Sequence, residues 1–329
     1  MKKISALLPL LFVILFASPD SFALRIKIAT LAPAGTHWMK EMKKGAKAIM
    51  QRTGGRVKFK FYPGGVMGND QSVHRKIRIN QLQGGAFSSS GLTAIDSSIQ
   101  VLSLPMLFNN FDEVDKVRQV LDDKIKQHVA DKGFIILGIS EGGFARIMST
   151  KPINTLQDIR DSKVWIPEGD VLVEETYRTL GISPIPLPLA DVFTGLQTGL
   201  IETIASTSTG AIAFQWHSKL KYMVDTPVMY VIGVLAISKK AFDKMKPEDQ
   251  QIVSEEMNKV FAILDKINRK DNLGATAALA KQGIKVIHPD PAETRKWREL
   301  SQQSIQHMVD KGLIDKALLD QVYQLLPAR

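Results

Sequence analysis

A chain of 329 residues with 44% hydrophobic content, 43 Lys and Arg against 33 Asp and Glu, and no cysteine has room for two domains and their cores. This balance excludes disordered, collagenous and disulfide-stapled chains, and the missing cysteines exclude thiol catalysis, iron–sulfur clusters and Cys-ligated zinc. The formal net charge of +10 does not point to nucleic acid, because the basic residues are interleaved with acids as on solvated helix faces.

The chain opens on an address. Lys2 and Lys3 form a basic start, Ile4 to Phe16 is an apolar run, and Ser21-Phe22-Ala23 places small residues for cleavage after Ala23. The run is too short for a permanent helix across a hydrocarbon core of ~30 Å, so an exported, periplasmic protein beginning at Leu24 is expected. A periplasmic setting lacks ATP and nicotinamide pools, which argues against kinases and dehydrogenases.

Leu24 to Thr30 alternates apolar and polar residues, as a strand does, and a small-residue loop follows from Leu31 to Thr36. Trp38 to Thr53 has helical spacing and stops at Gly54-Gly55; Val57 to Tyr62 is a second strand, ended by Pro63-Gly64-Gly65. A helix is expected over 69–82, then a short strand after Gly84-Gly85. Together these imply an α/β domain with a largely parallel sheet. Further strands are expected at Phe134 to Ile139, Ala145 to Ser149 and Lys163 to Ile166, and a helix at Val171 to Leu180. From Pro247 an apolar stripe runs to about Gln282, a helix of roughly 50 Å if unbroken, with Gly274 as the expected kink. Helices around 291–311 and 313–326 close the chain.

Signals for catalysis are weak. Gly138-Ile139-Ser140-Glu141-Gly142 fits G-x-S-x-G after a strand, but a nucleophile elbow needs a helix next and Phe144 to Thr150 reads as strand. The six histidines are scattered without metal-ligand spacing, so neither a metal nor a cofactor is expected. Gly64-Gly65 and Gly142-Gly143 lack the flanking residues of a phosphate loop.

Several segments match one family in order and spacing. They are Tyr62 to Asn69 (YPGGVMGN), Leu104 to Phe108 (LPMLF), Lys151 to Ile159 (KPINTLQDI) and Pro188 to Gly199 (PLADVFTGLQTG), followed by the long helix from Pro247. With them the sequence resembles the DctP-like solute-binding subunit of tripartite ATP-independent periplasmic (TRAP) transporters. The resemblance implies a two-lobed, type II-like periplasmic binding fold with crossing strands, solute held between the lobes, and docking on one small and one large integral membrane subunit. Uptake there is driven by an ion gradient. The expected lobes are 24–143 with 232–270, and 144–231 with 271–329.

The chain departs from the family where solute is held. Most members carry an arginine before a Pro, as in K-I-R-V-P, which pairs with the solute's carboxylate; here Lys163-Val164-Trp165-Ile166-Pro167 puts Trp165 at that place. A second family arginine aligns with Ala145, beside Arg146, and a solute-contacting asparagine aligns with Ser206; the usual V-D-G becomes Ile201-Glu202-Thr203. The resemblance therefore implies a cleft lined by Trp38, Phe87, Met106, Phe108, Trp165, Leu189 and Tyr230. Hydroxyls would come from Ser88, Ser89, Ser90, Ser206 and Thr207. Such a cleft suits an apolar or amphipathic solute. The alternatives are a small organic acid anchored by Arg146, a periplasmic hydrolase using Ser140, and a docking protein without a small ligand. Plainer roles stand beside these: Trp165, Met106 and Phe108 as core, Arg146 in an ion pair, and Glu168 and Asp170 as the acidic start of a helix.

Overall fold

The computed structural model describes residues 23–327. The expected leader, residues 1–22, lies outside the described residues, and the expected cleavage after Ala23 falls at their edge.

The chain begins with β1 (Leu24–Thr30), α1 (His37–Arg52), β2 (Val57–Tyr62), α2 (Asp70–Arg78), β3 (Gly84–Ser88) and the short α3 (Ser89–Leu92). Local chemistry sets these boundaries. The Thr36 hydroxyl caps α1 by accepting from the Met39 N–H, and Gly54 and Gly55, at φ 58° and 81°, end it in a conformation that glycine tolerates. The Asn69 side chain caps α2 in the same way, and α2 stops at Arg78 because Asn80 turns left-handed at φ 60°, short of the expected 82. A 3-10 turn (Ser98–Ser103) leads to α4 (Phe111–Asp131) and then β4 (Phe134–Ser149). The two strands expected at 134–139 and 145–149 are thus one, because the ladder passes a bulge at Gly142 and resumes at Gly143.

The second half holds α5 (Leu156–Arg160), β5 (Trp165–Pro167), α6 (Val171–Thr179), β6 (Ile185–Leu187), α7 (Val192–Thr198), β7 (Thr203–Ser206) and α8 (Ser208–Ala213). It continues with β8 (Tyr222–Ser238), α9 (Lys239–Phe242), α10 (Pro247–Lys281), β9 (Lys285–Ile287), α11 (Pro291–Asp310) and α12 (Lys316–Leu325). β8 escaped the sequence reading: its run of Val, Ile, Met and Tyr lacks a clean two-residue period because much of it is covered on both faces. α10 passes through Gly274 unbroken, with 35 residues and a length of about 50 Å.

The main sheet has the order β2-β1-β3-β8-β4-β7, with β9 also on β8. β1 is parallel to β2 and β3, while β3–β8, β8–β4 and β4–β7 are antiparallel, so the sheet is mixed rather than largely parallel. β5 and β6 form a parallel pair tied to β7 by the Val164–Thr203 bridge. β4 and β8 run side by side along nearly their whole length and are shared by two lobes, one around β1, β2 and β3 and the other around β5, β6 and β7. α12, the last helix, packs against α4.

Near its middle β4 is clasped by α10. The Asp265 carboxylate accepts from the Glu141 N–H at 2.9 Å, the Asn268 amide donates to the Glu141 carbonyl at 2.6 Å, and the Asn272 amide donates to the Gly142 carbonyl at 2.7 Å. A methyl on Gly138 would lie 2.1 Å from the Phe261 ring, and one on Gly143 2.5 Å from the Asn272 nitrogen, with Gly143 at φ 99°. Gly138 and Gly143 are therefore points where α10 lies hard against β4, while a methyl on Gly142 would meet Val231 of β8. Ser140 itself is buried inside a continuous strand, its hydroxyl facing the Gly233 carbonyl at 3.5 Å. The strand-turn-helix elbow that a hydrolase would need is absent there.

Candidate solute-binding cleft

Strand direction locates the cleft. β1, β2 and β3 are parallel and end at one edge of the first lobe, at Leu31 to Thr36, Pro63 to Asn69 and Ser88. β5 and β7 end at an edge of the second lobe, at Pro167 and Ser206. Open α/β sheets bind ligands beyond the carboxyl ends of their strands.

The two edges meet in a polar seam. Asn69 donates to the Glu168 carboxylate at 3.4 Å, and Gln100 donates to the Asp170 carboxylate at 3.4 Å. Asp170 also caps α6, accepting from the Val173 N–H at 3.1 Å, and bonds Ser90. Burial raises its pKa against the opposing pull of these donors. The Gln100 carbonyl oxygen and the Ser98 hydroxyl are buried here without a hydrogen-bond partner, and such groups are costly unless a ligand or water meets them.

Asp70 faces the same region from the first turn of α2. A methyl on Gly91 would lie 2.3 Å from its carboxylate oxygen, and burial alone pushes Asp70 up to about 6 from 3.8. A raised carboxyl binds more proton in the folded state. Its contribution to stability is fully present below about pH 4 and is lost as the pH rises through about 6. Asp70→Asn should therefore be near neutral at pH 4 and stabilising at pH 8. The gain is at most roughly 3 kcal/mol, and less for a carboxyl partly open to water. Urea unfolding at the two pH values checks this; equal effects at both would show that Asp70 is ionised without penalty.

On the second lobe Arg146 is the register partner of Ser206. The two share one face of the sheet at the carboxyl end of β7, so the one-residue offset does not turn Arg146 away from Ser206. The ladder slips on either side of Arg146, and such irregularities re-aim side chains. Its Nε lies 3.6 Å from the Asp225 carboxylate, is buried, and makes no hydrogen bond. Asp225 is shared with His288 at 3.3 Å and is half exposed.

Residues 28–312 match the model of the bacterial extracellular solute-binding proteins, family 7 (DctP). The chain belongs to that family. It is 22% identical over 313 residues to the C4-dicarboxylate-binding periplasmic protein DctP of Shewanella loihica, covering 92% of this chain and 90% of that protein. Two solved TRAP periplasmic solute-binding proteins share the fold. One, from Xanthobacter autotrophicus with bound β-D-galacturonate, has a TM-score of 0.84 at 22% identity, over 91% of this chain and 98% of that one. The other, from Haemophilus influenzae with bound L-gulonate, has a TM-score of 0.85 at 21% identity, over 92% and 99%. The family is one of substrate-binding transport proteins rather than enzymes, and no helix among the described residues is long and apolar enough to cross a membrane.

Within this family frame, the expected apolar lining does not assemble into one wall. Trp165 is 5% exposed, donates its indole N–H to the Leu187 carbonyl at 3.0 Å and packs edge-on against Trp216 at 5.6 Å. It is a core residue of the second lobe, in one cluster with the half-buried Leu189. Phe108 and Tyr230 pack edge-on in a first-lobe core, and Phe87, also in that core, stacks on His74 at 4.7 Å. Trp38 packs in a third cluster against Phe61, and Met106 lies in a fourth, with its backbone at φ 49°. Of the hydroxyls, Ser88 caps α3 and Thr207 caps α8, Ser89 follows the end of β3, and Ser206, at the end of β7, donates to the Thr207 carbonyl.

Sequence reasoning missed Asp70 and Gln100, whose side chains became notable only through burial. It placed Asp170 correctly as the start of a helix without its bond across the seam. The clasp was findable: Asp265, Asn268, Arg269 and Asn272 form a polar stripe at helical spacing on an otherwise apolar helix face.

Proposed function

We propose that this chain is the extracytoplasmic solute-binding subunit of a TRAP transporter, exported with its leader removed after Ala23. It holds a small organic acid, with Arg146 at the carboxylate, and hands it to a small and a large membrane subunit. The observation that carries the reading is the Arg146 Nε, buried beside Ser206 at the mouth of the second lobe with no hydrogen-bond acceptor. A planar guanidinium is well suited to a carboxylate. Asp70 and the orphan Gln100 carbonyl from the first lobe, and Asp170 from the same lobe as Arg146, supply acceptors, which suits a solute that also carries hydroxyls. The acids bound by the Xanthobacter and Haemophilus proteins have this composition and favour it over an apolar solute. Closure is the equilibrium that a solute touching both lobes would shift. The lobes are 24–143 with 232–270 and 144–231 with 271–329, α12 leaning on the first.

Thermal unfolding with galacturonate, gulonate, succinate and neutral galactose tests this. At about 100 times its Kd an acid should add about 2.7 kcal/mol of stability, and galactose none. A shift from galactose with none from the acids would sink the reading.

A further inference from the structure

Behind the seam, between the sheet of the second lobe and α5, α6 and α11, lies a cavity of about 100 Å³. Its wall is almost entirely apolar and includes Met106, Ile147, Leu172, Ala205 and Met229, and none of the lining residues is charged. Arg146 is not among them: Ile147, its neighbour in β4, takes the opposite face of the strand. Five lining side chains are polar without being charged: Ser103, Thr176, Tyr177, Trp297 and Ser301. The Trp297 indole N–H and the Ser103 hydroxyl are buried with no hydrogen-bond partner, Trp297 at 4% exposure. The Thr176 hydroxyl donates to the Leu172 carbonyl, and the Tyr177 phenol is pushed by burial up to about 12 and so is neutral.

We infer that this cavity binds a small uncharged ligand, of about one ring's size, whose single hydrogen-bond acceptor meets the Trp297 N–H and the Ser103 hydroxyl. A dry apolar cavity of roughly 150 Å³ in another protein accepts benzene, which sets the size. A carboxylate is excluded, since an unpaired buried charge is strongly disfavoured. The two orphan groups set the polarity, because a buried donor lacking a partner is worth satisfying. This site is separate from the proposed acid anchor. Its walls include the segment after the 3-10 turn that carries Gln100 and the helix that Asp170 caps, so an occupant would brace both sides of the seam.

Fluorine NMR line broadening with fluorobenzene and meta-fluoropyridine, which match in size but differ in one acceptor, tests the site on the full mature chain. Both should bind, the pyridine about 3- to 10-fold tighter. Trp297→Phe should bring the two affinities together. Ala205→Leu, or Val173→Leu if that variant does not fold, should abolish both, while Arg146→Ala leaves both unchanged. No broadening with the parent chain, or full binding by folded variants with the cavity filled, would overturn the site. A preference for the pyridine that survives Trp297→Phe would overturn the role of the indole.

Discussion

Arg146→Ala should weaken organic-acid binding by about 30- to 4,000-fold, the usual effect of removing one member of a buried, hydrogen-bonded charge pair. Titration calorimetry against the tightest acid found would measure it. Stability should change little, because Asp225, the ion-pair partner left behind, is half exposed and has His288 beside it. Arg146→Lys should recover only part of the affinity: an ammonium keeps the charge but cannot form the parallel pair of N–H bonds. If Arg146→Ala bound the acid at full strength, the carboxylate would have to lie elsewhere in the cleft.

The second large effect is on folding. Arg118 is 12% exposed and bonds the Asp122 carboxylate at 2.9 Å, the Asp265 carboxylate at 3.1 Å and the Ile139 carbonyl at 2.9 Å. Burial already raises Asp122 despite that neighbour. Arg118→Leu would leave two enclosed carboxylates without their cation, a loss of about 3–5 kcal/mol, or roughly 5–15 °C in Tm. The deficit should shrink in acid, as protonation relieves the stranded carboxylates. Thermal unfolding of parent and variant at pH 5 and pH 8 measures both. A deficit under about 1 kcal/mol at pH 8 would mean that water reaches the cluster in the parent chain.

The first half of the fold was legible because its signals are local. Thr36, Asn69 and the Gly54-Gly55 pair mark helix ends by their own chemistry, and β1 and β2 alternate because one face is more covered than the other. β8 and the continuity of β4 depend on partners far along the chain, which no local period reports. The glycines around Ser140 show the hazard of short motifs: they resemble a nucleophile's turn, yet they record where a helix begun at Pro247 lies against the strand. At the site, alignment made Trp165 the natural occupant of an arginine's place and hence a lining residue. It is instead absorbed into packing with Trp216 and the Leu187 carbonyl. A tryptophan's size lets it fill the volume of a lost side chain from within the lobe, which sequence alone cannot distinguish from lining a cleft. For Arg146 the sequence left one register step open, and the ladder sets it opposite Ser206, on the same face.

The clasp of α10 on β4 has a mechanical consequence. Side chains from Asp265 to Asn272 hold the backbone of Glu141 and Gly142 from one side, so the middle of β4 and this stretch of α10 are joined as one piece. On the function proposed above, closure around a solute would have to turn about this piece rather than bend it.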